Sequence, residues 1–216
     1  MKRIALLSIV SAALVITVAF TVPGAGKKPA AKESAAFVQA PAKWVLDKTH
    51  TNVRFSVSHL VVSDVDGSFK SFDGSMTSSK PDFSDAVINF TVDVNSINTD
   101  NENRDKHLKS DDFFNAEKFP QMKFVSKSFK ALGNNKYTLT GDLTIRDITK
   151  TVSFDVTYGG TVTSAAMGGT HAGFKAKTTI NRFDYNLKWD KATEGGGLVV
   201  GKEVEITLNI DVKKAA

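Results

Sequence analysis

The sequence of 216 residues contains no cysteine. A disulfide, a lipidated cysteine and a cysteine nucleophile are therefore excluded, and the chain has to rely on its core for stability. The chain also lacks a strong excess of charge of one sign, because the formal net charge is only +5 and the basic residues are scattered along the sequence. Such a weak bias does not favour nucleic acid, so we predict no nucleic-acid partner.

Motifs that position a catalytic nucleophile or a catalytic metal are missing too, since the chain has neither G-x-S-x-G nor H-E-x-x-H. Arg104, Asp105 and His107 resemble a catalytic cluster, but Asp105 and His107 are two residues apart and face different sides of a helix. We predict instead that Arg104 pairs with a carboxylate or carbonyl, with Asp184 and Glu203 as candidate partners. The chain is thus predicted to be no enzyme and to hold no metal and no cofactor. An enzyme acting on a lipid through this cluster is the alternative.

The N-terminus has the layout of an export signal. Lys2 and Arg3 precede an apolar run, Ile4–Phe20, and small residues follow it. We predict a signal peptide over residues 1–26, with an uncleaved membrane anchor as the alternative, because the run is close to the shortest that spans a bilayer. Residues 27–43 are rich in Ala, Lys and Pro and are predicted to be a flexible tether. The protein is then expected in the bacterial periplasm or outside the cell, or held at the membrane if the anchor stays.

Eight segments between residues 44 and 216 alternate apolar and polar side chains, which indicates antiparallel strands with one wet face. They span residues 50–62, 68–77, 86–95, 122–129, 137–145, 152–158, 174–180 and 204–212. Asp66-Gly67 is a turn signal before the second segment. Eight such strands with mostly short connections favour one all-β domain over residues 44–216, either a closed barrel or a sandwich.

The stretch Ser96–Pro120 breaks this alternation. Thr99 and Glu102 form a capping-box pattern, which predicts a helix start, and Ser110 is a candidate start for a second short helix. We predict a pair of short helices inserted between strands. Three aromatic rings are expected to close one end of the barrel, namely those of Phe113, Phe114 and Phe119.

The inward stripe of the strands carries almost no charge. Such a surface suits a long hydrocarbon, because each buried CH₂ contributes about 0.8 kcal/mol. The predicted contact stripe is Phe55, Val57, Phe72, Phe90, Val92, Phe124, Leu139, Phe154 and Phe174. His59, which shares the parity of Phe55, and Arg104 are candidate polar contacts to a lipid head group. The alternative is a filled β core without a cavity, serving as a stress-response or interaction module.

Several short motifs resemble the YceI-like family of lipid-binding proteins. They are Trp44-x-x-Asp47-x-x-His50, Val53-x-Phe55-x-Val57-x-His59, Gly67-Ser68-Phe69 with Phe72-x-Gly74, Arg104-Asp105-x-His107-Leu108, Phe119-Pro120-x-x-x-Phe124, Gly141-x-Leu143-Thr144-Ile145 and Asn181-Arg182-x-Asp184. The resemblance runs from Trp44 to about Val212. It implies an eight-stranded, lipocalin-like barrel with a short helical insert, whose tunnel binds a polyisoprenoid or an isoprenoid quinone in the periplasm.

The resemblance lends no catalytic residues, and it has two departures, of which Thr51 in place of Ser is a mild change. Asn186 stands where we expect glycine, and Asn tolerates the left-handed backbone conformation that a glycine would serve. The sequence leaves open which lipid is bound, whether the lipid is carried or sequestered, and whether the chain is a monomer or a homodimer.

Overall fold

The computed structural model describes residues 40–192 and 197–215. The predicted signal peptide and residues 27–39 of the predicted tether lie outside these residues. The strands are β1 (Ala42–Leu46), β2 (Asn52–His59), β3 (Ser63–Phe69), β4 (Phe72–Ser78), β5 (Val87–Asp93), β6 (Ile97–Asn98), β7 (Gln121–Gly133), β8 (Lys136–Ile145), β9 (Ile148–Ser164), β10 (Gly169–Asn181) and β11 (Val200–Lys214). One α-helix, α1 (Glu102–Lys109), and a 3-10 turn, Arg182–Tyr185, complete the regular elements that position the site.

Eight strands close into a barrel, in the order β1-β4-β5-β7-β8-β9-β10-β11, with every pairing antiparallel. The closing pair is β1 with β11, through Trp44 opposite Lys214 and Leu46 opposite Val212. Closure pairs the edges that an open sheet would leave exposed. The predicted all-β, eight-stranded antiparallel barrel with a helical insert is therefore confirmed.

Three further strands, β2, β3 and β6, extend the sheet beyond the eight strands that close the barrel. β2 continues along β11 beyond β1, β3 pairs with β2, and β6 pairs with β3. β7 pairs with β5 and β8, so the sheet opens between β6 and β7. The segment 99–119, which contains α1, connects these two strands. We call this end of the barrel, where β2, β8 and β10 finish and β11 begins, the α1 end.

The helical insert is shorter than the sequence predicts. Asn101, not Thr99, caps α1, and its side chain accepts a hydrogen bond from the Arg104 backbone N–H at 3.0 Å. Asn is the stronger N-cap of the two residue types. The second predicted helix is absent from residues 110–119, because Ser110 ends α1 and Arg146 takes carbonyls that a helix would need. Its Nη1 donates to the carbonyl oxygens of Asp111 at 3.2 Å and Phe113 at 3.0 Å.

The first hairpin turns earlier than the Asp66-Gly67 signal predicts. The tip is Leu60-Val61-Val62, with the Val62 N–H donating to the His59 carbonyl at 3.2 Å. Gly67 lies inside β3, directly opposite Phe55. A Cβ at Gly67 would overlap the Phe55 ring, so this glycine permits a ring to pack on the backbone and does not serve a turn.

The opposite end of the barrel is closed by Phe83, from the loop between β4 and β5. This side chain is only 3% exposed. Its ring meets those of Trp44, Tyr158 and Phe174 edge-on, with centroids 5.3, 5.6 and 5.3 Å away. Tyr137 fixes the loop by donating its hydroxyl to the Asp82 carbonyl at 2.8 Å. The sequence analysis did not anticipate this plug.

Candidate ligand-binding cavity

Inside the barrel lies a cavity of about 220 Å³ with an almost entirely apolar wall. An engineered apolar cavity of about 150 Å³ stays dry and accepts benzene. The surrounding side chains therefore leave part of the interior unfilled, and this space has room for a ligand. This finding argues against the alternative of a solid β core.

Eight of the eleven residues predicted to contact a ligand line this cavity. They are Phe55, Val57, Phe90, Val92, Phe124, Leu139, Phe154 and Phe174. Two glycines shape the wall, because a Cβ at Gly74 would lie 2.7 Å from the Phe90 ring and a Cβ at Gly141 would overlap the Phe124 ring. The missing side chains let these rings pack against the backbone.

The remaining three predicted residues lie elsewhere. Phe72 stacks on Phe90, with ring centroids 6.0 Å apart, and it is not among the residues that line the cavity. His59 and Arg104 line a smaller pocket of about 210 Å³ at the α1 end. Since the two spaces share wall residues such as Val57 and Phe113, we call the smaller pocket the mouth of the cavity.

The helical insert supplies part of the cavity wall. Leu108, Phe113 and Phe114 line the cavity, as expected for an element that closes one end. Phe119 does not take part as predicted, because its ring packs 5.5 Å from the Arg146 guanidinium instead. Only two of the three predicted Phe rings therefore help to close the α1 end.

The cluster that resembles a catalytic site, Arg104, Asp105 and His107, forms hydrogen bonds within the helical insert. Arg104 donates from Nε to the Thr99 hydroxyl at 2.8 Å and from Nη2 to the Thr99 carbonyl at 2.7 Å. The prediction that Arg104 pairs with a carbonyl is therefore confirmed. The two candidate partners, Asp184 and Glu203, are wrong, because both bonds go to Thr99. The same Thr99 hydroxyl donates to Asp105 at 2.6 Å, while His107 faces Asp112 at 2.8 Å. These three side chains stabilise the insert and do not converge on one reacting atom.

Two buried polar residues of the cavity wall were missed as site residues, and both belong to the 3-10 turn. Arg182 is 4% exposed and donates to the carbonyls of Gly201 at 2.8 Å, Leu187 at 2.6 Å, Trp189 at 2.8 Å and Val200 at 3.0 Å. Burial lowers its pKa from the ordinary 12.5. The guanidinium thereby holds the chain that follows the turn against the start of β11.

Tyr185 ends the same turn and is 1% exposed. Its hydroxyl has no hydrogen-bond partner among the residues that the structure describes. Burial raises the pKa of Tyr185 to about 12, so the phenol stays neutral. The only sequence signal for either residue was the match around Asn181-Arg182-x-Asp184, because neither belongs to an alternating strand.

A second polar cluster lies at the end of the barrel away from α1. Nδ1 of the buried His171 is 2.8 Å from Asp211 Oδ1, and its Nε2 is 3.0 Å from the Met167 carbonyl. Since both oxygens are acceptors, this geometry favours the doubly protonated imidazole, and the bond to Asp211 raises the pKa of His171 above 6.5. Asp47 brings a third ligand atom, so that all three lie within 4.8 Å of one another. A doubly protonated imidazole has no lone pair for a metal, so we interpret the cluster as a hydrogen-bonded link between strands.

The fold and the cavity define a class of protein, the closed antiparallel barrel whose interior can hold one slender apolar ligand. Residues 44–212 match the YceI-like domain family. This chain belongs to the YceI-like family. Among the described residues, no helix is long and apolar enough to cross a bilayer.

Relatives in sequence and structure agree with this assignment. A UPF0312 protein of Staphylococcus aureus strain MSSA476 is 38% identical over 168 residues, which cover 78% of this chain and 95% of that protein. One from Staphylococcus epidermidis strain RP62A is 37% identical over 169 residues, covering 78% and 96%. A Campylobacter jejuni YceI crystal structure matches 79% of this chain and 97% of its own, with 30% identity and a TM-score of 0.63. A polyisoprenoid binding domain from Saccharophagus degradans matches 80% and 98%, with 14% identity and a TM-score of 0.57, and shows likeness of fold.

Proposed function

We propose that this protein binds a polyisoprenoid lipid or the tail of an isoprenoid quinone inside the barrel and carries or sequesters it. The observation that carries the proposal is an almost entirely apolar cavity, which shares wall residues with the mouth at the α1 end, while the buried Phe83 closes the opposite end. Each CH₂ moved from water into such a wall contributes about 0.8 kcal/mol, so a long tail binds without any specific polar contact. A neighbour in fold is described as a polyisoprenoid binding domain, which supports the choice of ligand.

The tail is proposed to lie along the aromatic and aliphatic stripe predicted from the sequence, with Phe124 and Phe154 at its centre. Their rings meet edge-on with centroids 5.5 Å apart. His59 and Arg104 are proposed to contact polar atoms that reach the mouth. Residues 1–26 are proposed to direct export to the bacterial periplasm, where an apolar ligand cannot cross water unaided. No catalytic step and no cofactor are part of this function.

Ligand capture tests the proposal directly. Protein purified from its native host is extracted with organic solvent and also analysed by native mass spectrometry, and the apo form is offered a long-chain isoprenoid quinone. We expect co-purified isoprenoid lipid and one quinone bound per barrel. Absence of both would overturn the proposal.

A matched pair of variants separates cavity binding from adhesion to the surface. Ala176→Phe places a ring in the cavity wall and is expected to reduce quinone uptake strongly. Ala131→Phe adds the same ring at an exposed position of β7 and is expected to leave uptake unchanged. Equal uptake by the two variants would place the lipid outside the barrel.

A further inference from the structure

Tyr185 stands apart from the other tyrosines. The chain has three, and the other two hydroxyls are bonded, Tyr137 to the Asp82 carbonyl at 2.8 Å and Tyr158 to the Thr161 hydroxyl at 2.5 Å. Tyr185 is the most deeply buried of the three, yet its hydroxyl has no partner within residues 40–192 and 197–215. A buried hydroxyl without a partner is costly, and such groups are rare enough to need an explanation.

The turn that carries Tyr185 is held firmly in place. Asn181 caps it by accepting from the Phe183 N–H at 3.0 Å. Asn186 closes it in the left-handed conformation, with φ of 63°, as expected for Asn in place of a glycine. Arg182 anchors the turn to four carbonyls of the following chain. The Tyr185 side chain therefore does not reach a partner through a small local rearrangement of the turn.

Tyr185 lies in the wall of the cavity, at the α1 end where β10 finishes. The wall around it is almost entirely carbon surface. Apolar pockets typically fix the orientation of a ligand through a small number of placed polar groups. Because burial raises its pKa to about 12, the phenol keeps its proton and remains a donor throughout the physiological pH range.

We infer that the Tyr185 hydroxyl is the polar subsite of the cavity and donates a hydrogen bond to an oxygen acceptor on the bound lipid. This inference rests on the proposed function and narrows it. The preferred ligand is an isoprenoid that carries a carbonyl, hydroxyl or ether oxygen at its head, rather than a pure hydrocarbon. A site with an unpaired buried donor discriminates against an analogue that lacks the acceptor, because the donor then stays unsatisfied.

The subsite differs in place and chemistry from the polar contacts predicted at the mouth. His59 and Arg104 line only the mouth, and both Arg104 nitrogens named above are already bonded to Thr99. Tyr185 lines the main cavity and is uncharged. The tail then fills the barrel toward Phe83, while the oxygen-bearing head stays near the 3-10 turn.

The test compares two probes that differ in the acceptor, squalene and an isoprenoid quinone with the same number of isoprene units. Tyr185→Phe removes only the hydroxyl. We expect quinone affinity to fall about three- to tenfold, the effect of one buried hydrogen bond, with squalene affinity unchanged. Tyr137→Phe is the matched control, because its hydroxyl is bonded to protein and the residue does not line the cavity. It is expected to keep the ratio of the two affinities.

Stability supplies a second measurement. Removing an unsatisfied hydroxyl should leave the denaturation midpoint of ligand-free Tyr185→Phe unchanged or raised, whereas Tyr137→Phe should lower it. An unchanged quinone-to-squalene ratio in Tyr185→Phe, or an equal loss for both probes, would overturn the subsite. If the wild-type protein binds neither probe, the proposed function fails and the subsite fails with it.

Discussion

At the scale of single residues, the inward glycines serve aromatic packing. Gly67 lies opposite Phe55 and close to Thr99, and a Cβ there would overlap the ring and sit 2.9 Å from the Thr99 methyl carbon. The sequence pattern Asp66-Gly67 predicted a turn, since a glycine that serves a turn and a glycine that makes room for a ring look the same in the sequence. What distinguishes them is a ring on a neighbouring strand.

Gly67→Ala is therefore expected to lower the free energy of unfolding by about 1–3 kcal/mol, the usual cost of overpacking a core. Urea denaturation followed by tryptophan fluorescence measures the change. Gly173→Ala is the control, because a Cβ at Gly173 would meet nothing within 4 Å and should leave stability unchanged or slightly raised. Equal effects of the two substitutions would contradict the packing role of Gly67.

His171 is expected to make stability depend on pH. Its pKa is raised in the folded state, chiefly by the hydrogen bond to Asp211, while the unfolded chain has the ordinary value near 6.5. A raised folded pKa adds stability that is fully present below pH 6.5 and is lost as the pH rises through the folded value. The wild-type denaturation midpoint should thus fall from pH 6 to pH 9.

His171→Gln should flatten this dependence. His50→Gln is the comparison, because His50 also has a raised pKa, mainly from its bond to Asp47, but lies exposed. That variant should keep the His171 part of the slope. A slope in His171→Gln equal to that of the wild type would remove His171 as its source.

At the scale of elements, the β2–β3 hairpin tip combines unfavourable residue types. Leu60 and Val61 have φ of 53° and 63°, which suits Asn-Gly and is costly for a β-branched residue. Val61 is 81% exposed, so burial does not compensate for the strain. The structure gives no reason for apolar residues at this tip.

Replacing Leu60-Val61 by Asn-Gly is expected to raise the free energy of unfolding by about 1–2 kcal/mol, since the left-handed conformation costs roughly that much for an ordinary residue. Thermal and urea denaturation measure the gain. Val62→Asn is the control, because Val62 is similarly exposed at 83% and its φ is not positive. A comparable gain from the control would attribute the effect to surface polarity instead of backbone strain.

At the scale of the whole molecule, a bound lipid should stabilise the barrel. A ligand that binds only the folded state adds about 2.7 kcal/mol when its free concentration is a hundred times the Kd. For a domain of this size that corresponds to a rise in Tm of about 5–10 °C. Differential scanning calorimetry with a solubilised isoprenoid quinone checks the shift, and Ala176→Phe should show much less of it. No shift at saturating quinone would count against binding inside the barrel.

Local alternation of side chains was enough to predict eight antiparallel strands, the apolar inward stripe and a helical insert, because strand period and helix caps depend on residues near one another in the chain. Short-range signals also misplaced the first turn, the helix cap and the second helix. The turn and the second helix depended on contacts with Phe55 and Arg146, which come from other parts of the chain.

Only the tertiary structure decided that the stripe surrounds open space. Core-filling and cavity-lining stripes have the same sequence pattern, and the difference is whether rings from opposite walls meet. The same holds for Phe83 as a plug and for the unpartnered hydroxyl of Tyr185. A hydrogen bond that is missing, like a space that is empty, depends on the positions of all neighbouring atoms at once, and no stretch of sequence contains that information by itself.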